Sequence, residues 1–417
     1  MKSILKLKNK KQIISWALYD FANQPFTTII VTFIYSIFFV KEIATNEQYG
    51  TTMWSYSIAI TAIVVSILSP ILGALADSGG YRKFFLTVLT WITCLCSVFL
   101  FFPQNGQVFF ALTLFVVANI CFELSSVFCN SYLPDLSEKN NMGTISGFSW
   151  GLGFIGGLLA LFLSFALFDL DPLGIRKINI LVGVWFFIFS IPTIMFLRDK
   201  KRKKFSKYLF LNSFTRIKNT FKTVSQYKVI TQFLISRLFF NDGLVTIFAL
   251  GGVYASTTVG FTNEEVMYLA IVLNFAAGIG SFVFGLIEDK IGVLEVIRLT
   301  LATLIIATLI AFIAPETKYP KETFWLSGIL LGLMVGPNQS CSRSLMAQLT
   351  PPKKMNEFFG FYALTGKATS FIGPLLFGLI THIYNQQIAL LVVILLFFIG
   401  FLLFNRIEFS IKSFNNK

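Results

Sequence analysis

Six polar side chains stand where the sequence is otherwise apolar: Asp20, Asn23, Glu123, Asn241, Asp242 and Lys367. A charge at the centre of a bilayer-crossing helix costs about 2.5–3.5 kcal/mol on insertion scales, so each charged one requires a partner or a task. Acids in such places can carry a proton or hold an ammonium group, and a base can hold a carboxylate. Both signs together suit a small zwitterion, with a proton as a second partner because burial changes a carboxylate's proton affinity. Asp20 lies about 10 Å into the first apolar stretch at 1.5 Å per residue. Asn23, three residues on, shares its helix face. Gln24-Pro25 follows, where the proline loosens the helix beside the hydroxyls of Thr27 and Thr28. Glu123, Asp242 and Lys367 fall deep within their own stretches. The alternative for each is structural: Asp20 as a cap on local backbone, Glu123 in an interhelical ion pair. Arg237 and Arg343 lie nearer the ends of their stretches, where gating or snorkelling explains a base.

A second constellation sits in a loop. Gly73, Asp77, Gly80, Arg82 and Lys83 form the pattern Gly-x-x-x-Asp-x-x-Gly-x-Arg-Lys. The glycines permit close helix contact and a tight turn. Asp77 can cap a neighbouring helix N-terminus or pair with a base such as Arg82. Gly285, Asp289 and Gly292 repeat the glycines and the aspartate at a constant offset of 212, without the trailing Arg-Lys. Pro134, Gly143 and Gly156 match Pro351, Gly360 and Gly373 at an offset of 217. Parallel repeats of this kind mark transporters built from two related halves. Gly336-Pro337-Asn338-Gln339 is expected to interrupt the tenth stretch, and Asn274 places an amide in the eighth.

The elements that must position these residues follow from composition. Of 417 residues, 55% are hydrophobic and 13% charged, and mean hydropathy is +0.74. A soluble chain carries about 25% charge, so a soluble globule and a disordered chain are both excluded. A bilayer needs about 20 apolar residues as helix. Twelve stretches qualify: 13–40, 52–76, 84–102, 107–133, 145–168, 178–197, 229–256, 265–287, 294–314, 323–346, 357–382 and 387–405. None alternates as a barrel strand must. The first is too long for a signal peptide and lacks a clear cleavage site, so it stays as a span. The five cysteines lie in apolar runs and the single histidine is His382, so neither a disulfide framework nor a metal site is expected. No cofactor is expected, and no phosphate-binding loop is present in the sequence.

Lys and Arg placement sets the expected orientation. With the N-terminus inside, inner segments hold 27 of the 34 and outer loops only Lys41, Arg176, Lys177, Lys318 and Lys321. Both termini are therefore expected in the cytoplasm, and the net charge of +14 needs no nucleic acid. The longest connection opens Arg198-Asp199-Lys200-Lys201-Arg202-Lys203-Lys204 and continues with Phe210, Phe214, Ile217, Phe221 and Val224 at helical spacing. It reads as an interfacial helix that tethers two halves. The expected domains are a six-helix bundle over 1–197, a basic amphipathic linker over 198–228 and a second six-helix bundle over 229–417.

The loop motif, in this place, resembles the signature loop of the major facilitator superfamily. The resemblance implies an all-α polytopic fold of twelve helices in two six-helix pseudo-repeats. It also implies a gate that latches and releases, made from Gly73, Asp77, Gly80, Arg82, Lys83, Asp289 and Arg343. Further motifs are similar to the vacuole-effluxer branch, which is named for an autophagy-related protein implicated in amino-acid efflux. They are Trp16-Ala17-Leu18-Tyr19-Asp20-Phe21-Ala22-Asn23, Ile145-Ser146-Gly147-Phe148-Ser149-Trp150-Gly151-Leu152-Gly153, Glu357-Phe358-Phe359-Gly360-Phe361-Tyr362-Ala363-Leu364 and Ser370-Phe371-Ile372-Gly373-Pro374-Leu375. The expectation is a secondary transporter of a small solute, an amino acid or similar zwitterion, acting as a monomer by alternating access with protons. A bacterial plasma membrane suits its compact loops. A lipid or lysolipid transporter is the alternative within that class. A membrane-embedded transferase is the alternative outside it, disfavoured by the lack of a catalytic His or of an Asp pair at metal-ligand spacing.

Overall fold

The computed structural model describes residues 9–138, 140–169, 171–199 and 227–415. Most of the linker expected over 198–228 lies outside them. Every regular element among the described residues is helical. The spans are α1 (Lys10–Ile43), α2 (Glu47–Gly79), α3 (Arg82–Phe99), α4 (Val108–Asn130), α5 (Met142–Leu167) and α6 (Pro172–Phe196). They continue as α7 (Lys228–Tyr254), α8 (Asn263–Ile291), α9 (Val293–Ile313), α10 (Pro320–Leu349), α11 (Pro352–Ile383) and α12 (Gln386–Asn415). Eleven helices among the described residues are long and apolar enough to cross a membrane. The twelfth, α10, has the length, 30 residues, but buries Asn338, Ser340, Ser342, Arg343 and Ser344 in its second half. Large side chains such as Ile63, Phe109 and Phe162 are exposed, as a lipid-facing surface requires.

The chain forms two compact units. The first holds α1–α4, α5 from Leu152 onward, α6 and the Pro352–Ala363 start of α11. There α3 packs on α4 and α6, α1 on α6, and α2 on α4. The second holds Ser137–Gly151, α7–α10, α11 from Leu364 onward and α12. There α7 packs on α12, α8 and α9 on α10, and α9 on α12.

Both α1 and α11 depart from regular geometry, and prolines explain only some of it. Pro25 cannot donate to the carbonyl of Phe21, four residues back. That carbonyl accepts instead from Trp185 Nε1 on α6 at 3.2 Å. The backbone after Pro25 runs as a π-helix from Phe26 to Phe33, a form that recurs at functional sites. Pro337 is the counter-example and corrects an expectation. α10 runs through Gly336-Pro337-Asn338-Gln339 without a break. The carbonyl that Pro337 leaves over, that of Leu333, faces Gly280 of α8. Asn338 donates to Thr300 Oγ1 on α9 at 3.0 Å. These contacts let the helix pass straight through. The break falls in α11 instead. One helical piece ends at Lys367 and the next begins at Ile372.

Candidate functional site

The break in α11 is held open by two consecutive residues of α7. Asn241 Nδ2 donates to the Gly366 carbonyl at 3.2 Å, which is one of the last orphan acceptors of the first piece. Asp242 Oδ2 accepts from the Gly373 amide at 2.9 Å, in the first turn of the second piece. A carboxylate at a helix N-terminus and an amide donor at a C-terminus each complement the local dipole. The remaining ends are closed locally. Ala368 N donates to Leu364 O at 2.8 Å, and Ser370 Oγ to Lys367 O at 3.0 Å.

More polar groups gather on the same face. Gln339 Nε2 of α10 donates to Asn241 Oδ1 at 3.4 Å. Arg237, one turn before Asn241, donates to Thr365 Oγ1 at 3.3 Å. Its guanidinium lies over Gly366, so closely that a Cβ there would meet Nη1 at 3.0 Å. Asp242 is 2% exposed, and its Oδ1 has no hydrogen-bond partner among the described residues. Lys367, half-buried, ends the first piece. The second unit therefore sets the bases Arg237 and Lys367 at one end of the break and the acid Asp242 at the other. Of the six residues singled out by chemistry, this site brings together Asn241, Asp242 and Lys367. Gln339 was singled out only as part of the expected interruption of the tenth stretch, and Thr365 and the role of Gly366 carried no signal in the sequence.

Asp20 and Asn23 lie in the first unit, on α1. Trp16 Nε1 donates to Cys129 O at 2.8 Å, and Tyr19 O–H bonds Ser125 Oγ at 2.8 Å and Thr90 Oγ1 at 2.7 Å. These buried anchors fix the rotation of α1 and leave Asp20 half-buried against Gly153 of α5. Asn23 is buried. Glu123 is half-buried on α4. Among the described residues no group of three or more His, Cys, Asp or Glu is placed to hold a metal ion.

The loop motif and its repeat make two docked helix ends, one in each unit. In the first, Asp77 Oδ1 accepts from Asn356 N at 3.2 Å and Asn356 Nδ2 at 2.7 Å, and Oδ2 from Glu357 N at 2.9 Å. In the second, Asp289 accepts from Gly143 N at 2.9 Å, Thr144 N at 3.0 Å and the Thr144 hydroxyl. Each aspartate thus takes the second and third amides of a helix that begins at Met355 or Met142. One turn up, Gly73 and Gly285 let the arriving backbone touch Asn356 O and Gly143 O. A further turn on, Gly360 lies on Ser69 O and Gly147 on Ser281 O. Here the offset is 213, so Gly360 answers Gly147 rather than Gly143. Beyond residues 368–371 the offset becomes 217, and the difference of four is the break itself.

The flanking residues serve the first of these ends. Gly80 closes α2 at φ 69°, as Gly292 closes α8 at φ 93°. Arg82 reaches Asp135 at 2.5 Å and lies 3.6 Å over the Tyr132 ring. Lys83 N donates to Asp199 Oδ2 at 2.8 Å and its Nζ to Leu197 O at 2.9 Å. Asp199, read beforehand only as part of a basic run, is therefore an anchor at the start of α3. Arg343, in the second unit, donates from Nε to Ser146 Oγ at 3.0 Å and from Nη2 to Ser146 O at 2.8 Å.

Residues 8–144 and 137–413 match the sequence family described as "Vacuole effluxer Atg22 like". The chain belongs to this family. It is 27% identical over 403 residues to "Uncharacterized MFS-type transporter YxiO" of Bacillus subtilis, covering 94% of this chain and 93% of the relative. It is 23% identical over 438 residues to "Autophagy-related protein 22-1" of Penicillium rubens, covering 84% of this chain and 73% of that protein. Two solved structures share the fold. A bacterial homologue of the iron transporter ferroportin in an outward-facing state superposes with a TM-score of 0.75 at 14% identity, over 96% of this chain and 99% of that one. The proton:xylose symporter XylE superposes with a TM-score of 0.71 at 13% identity, over 94% of each chain. This member of the family is a multi-pass integral membrane transporter of the major facilitator superfamily.

Proposed function

We propose that this effluxer-family member is a proton-coupled secondary transporter that moves an amino acid or similar zwitterion by alternating access. The observation that carries the reading is the charge layout around the α11 break. Asp242 Oδ1, buried and without a partner among the described residues, suits an ammonium group or a proton. Arg237 and Lys367, at the other end of the same break, suit a carboxylate. Broken helices serve transporters in this way because their ends present uncompensated backbone dipoles to a ligand. Asp20 and Asn23, beside the loosened part of α1, and Glu123 are the second place where a proton or the ligand could bind. The amino-acid efflux implied for the branch points the same way.

In this account the gate is made of the two docked helix ends, at Asp77 with Gly73, Gly80, Arg82 and Lys83, and at Asp289 with Arg343. Their release and re-formation accompany each cycle. Two six-helix bundles joined by the basic linker supply the moving parts, with both termini in the cytoplasm of a bacterial cell. The test is thermal-shift binding on purified protein with neutral amino acids, their N-acetyl and ester derivatives, and lysolipids. Stabilisation by the free amino acid, lost when either charged end is blocked, is expected. Stabilisation by lysolipids alone would replace the zwitterion by a lipid.

A further inference from the structure

The two docked helix ends match turn for turn in backbone contacts, but the residue that precedes the capping aspartate differs. The residue before Asp77 is Ala76; the residue before Asp289 is Glu288. Glu288 is 3% exposed. A Cβ on Gly143 would meet its Cβ, Cγ and Cδ at 2.6–2.8 Å, so its side chain lies against the first turn of α5. Cys341 and Ser344 of α10 lie beside the carboxyl. Yet among the described residues neither carboxyl oxygen, nor Ser344 Oγ, meets a partner in hydrogen-bonding geometry. The charged and titratable groups that face it are Asp289 on its own helix and Arg343 and Cys341 on α10. The first turn of α5, Met-Gly-Thr-Ile-Ser, brings none. Arg343 directs Nε and Nη2 at Ser146.

A charge on Glu288 would be enclosed with only the Cys341 thiol and the Ser344 hydroxyl beside it as donors, neither in good hydrogen-bonding geometry, and such a setting disfavours an ion. It would also stand beside the Asp289 charge at a helix end that Asp289 already satisfies. The docked arrangement therefore suits a neutral carboxyl. We propose that Glu288 is a proton-binding site that governs the docking of α5 onto Asp289. With the proton bound, the first turn of α5 stays on Asp289. When the proton leaves for water on the side of the membrane that holds the N-terminus, the turn undocks and the carboxylate is hydrated. The first unit has Ala76 in that place, and its buried acid, Glu357, stands on the docked helix instead. This inference rests on the proton-coupled reading for its use in transport, but not for the docking equilibrium itself.

Amide hydrogen exchange on the purified full chain tests it, at about pH 6 and about pH 9 after correction for intrinsic exchange. The segment 142–151 should exchange about tenfold faster at the higher pH, while 355–363, docked on Asp77, should not change. Glu288→Gln should keep 142–151 protected at both. Glu288→Ala gives the second end the residue of the first, so it serves if the glutamine variant does not fold, and it should also be flat. Equal protection of wild-type 142–151 at both pH values, a pH response that survives in both variants, or an equal response at 355–363 would overturn the proposal. If transport ignores a pH gradient while the exchange profile holds, the coupling reading fails and the docking site stands.

Discussion

At the scale of single residues, carboxylates in similar settings are assigned different work. Asp77 and Asp289 each accept amides from a helix end, and Asp242 does so with only one oxygen. Asp77→Asn keeps an acceptor but removes the charge, so docking weakens without touching the α11 site. Parallel binding and flux measurements should show affinity kept within about twofold and flux reduced about tenfold, that is, about 1.4 kcal/mol on the transition. Loss of affinity in proportion would move Asp77 into the ligand site. Asp242 behaves differently. Asp242→Ala leaves the buried Gly373 amide unpaired, at a cost of about 1–3 kcal/mol, visible as a lower melting temperature. Asp242→Asn can still accept from Gly373 through its carbonyl oxygen, so it should melt near wild type yet lose ligand binding. If both variants bind normally, Asp242 is only a cap. Sequence pattern revealed Asp242 as a charge in an apolar stretch, and Asp77 and Asp289 through the repeated loop motif. It did not separate Glu288 from Asp289, since two adjacent acids at a helix end look like one solvated cluster.

At the scale of elements, span positions were legible from hydrophobic length alone, and every expected span has its helix. The location of the helix break was not. Pro337 marks the tenth span as broken, yet α10 is continuous because α8 and α9 accommodate the disturbance. Residues 368–371, Ala-Thr-Ser-Phe, contain no proline or glycine. Asn241 and Asp242 satisfy the ends that the break creates, and the local trace is Pro374 in the first turn of the second piece, which has no amide to give the Ser370 carbonyl. Close backbone contact at the docked ends yields a further prediction. Gly73→Ala places a Cβ against the Asn356 carbonyl, so the start of α11 must shift. Overpacking of this kind costs about 1–3 kcal/mol. Faster amide exchange over 355–363, with 142–151 unaffected, is the expected result; unchanged exchange in both would show that the contact tolerates a methyl group.

At the scale of the whole molecule, the account joins a repeat, a charge bias and a transport cycle. The bias of Lys and Arg puts residues near Leu173 outside and the linker inside. An impermeant thiol reagent applied to cells should label Leu173→Cys and spare Lys203→Cys, in a background lacking the five native cysteines. The reverse pattern would invert the topology. The central claim is that a zwitterion and a proton share one cycle through Asp242. Proteoliposomes loaded with the amino acid that stabilises the protein most, with and without an imposed pH gradient, test it most directly. The account predicts that wild-type flux follows the gradient and that Asp242→Asn, which no longer binds the ligand, sits idle with or without it. Wild-type flux that ignores the gradient, or gradient-driven flux that survives in Asp242→Asn, would contradict it.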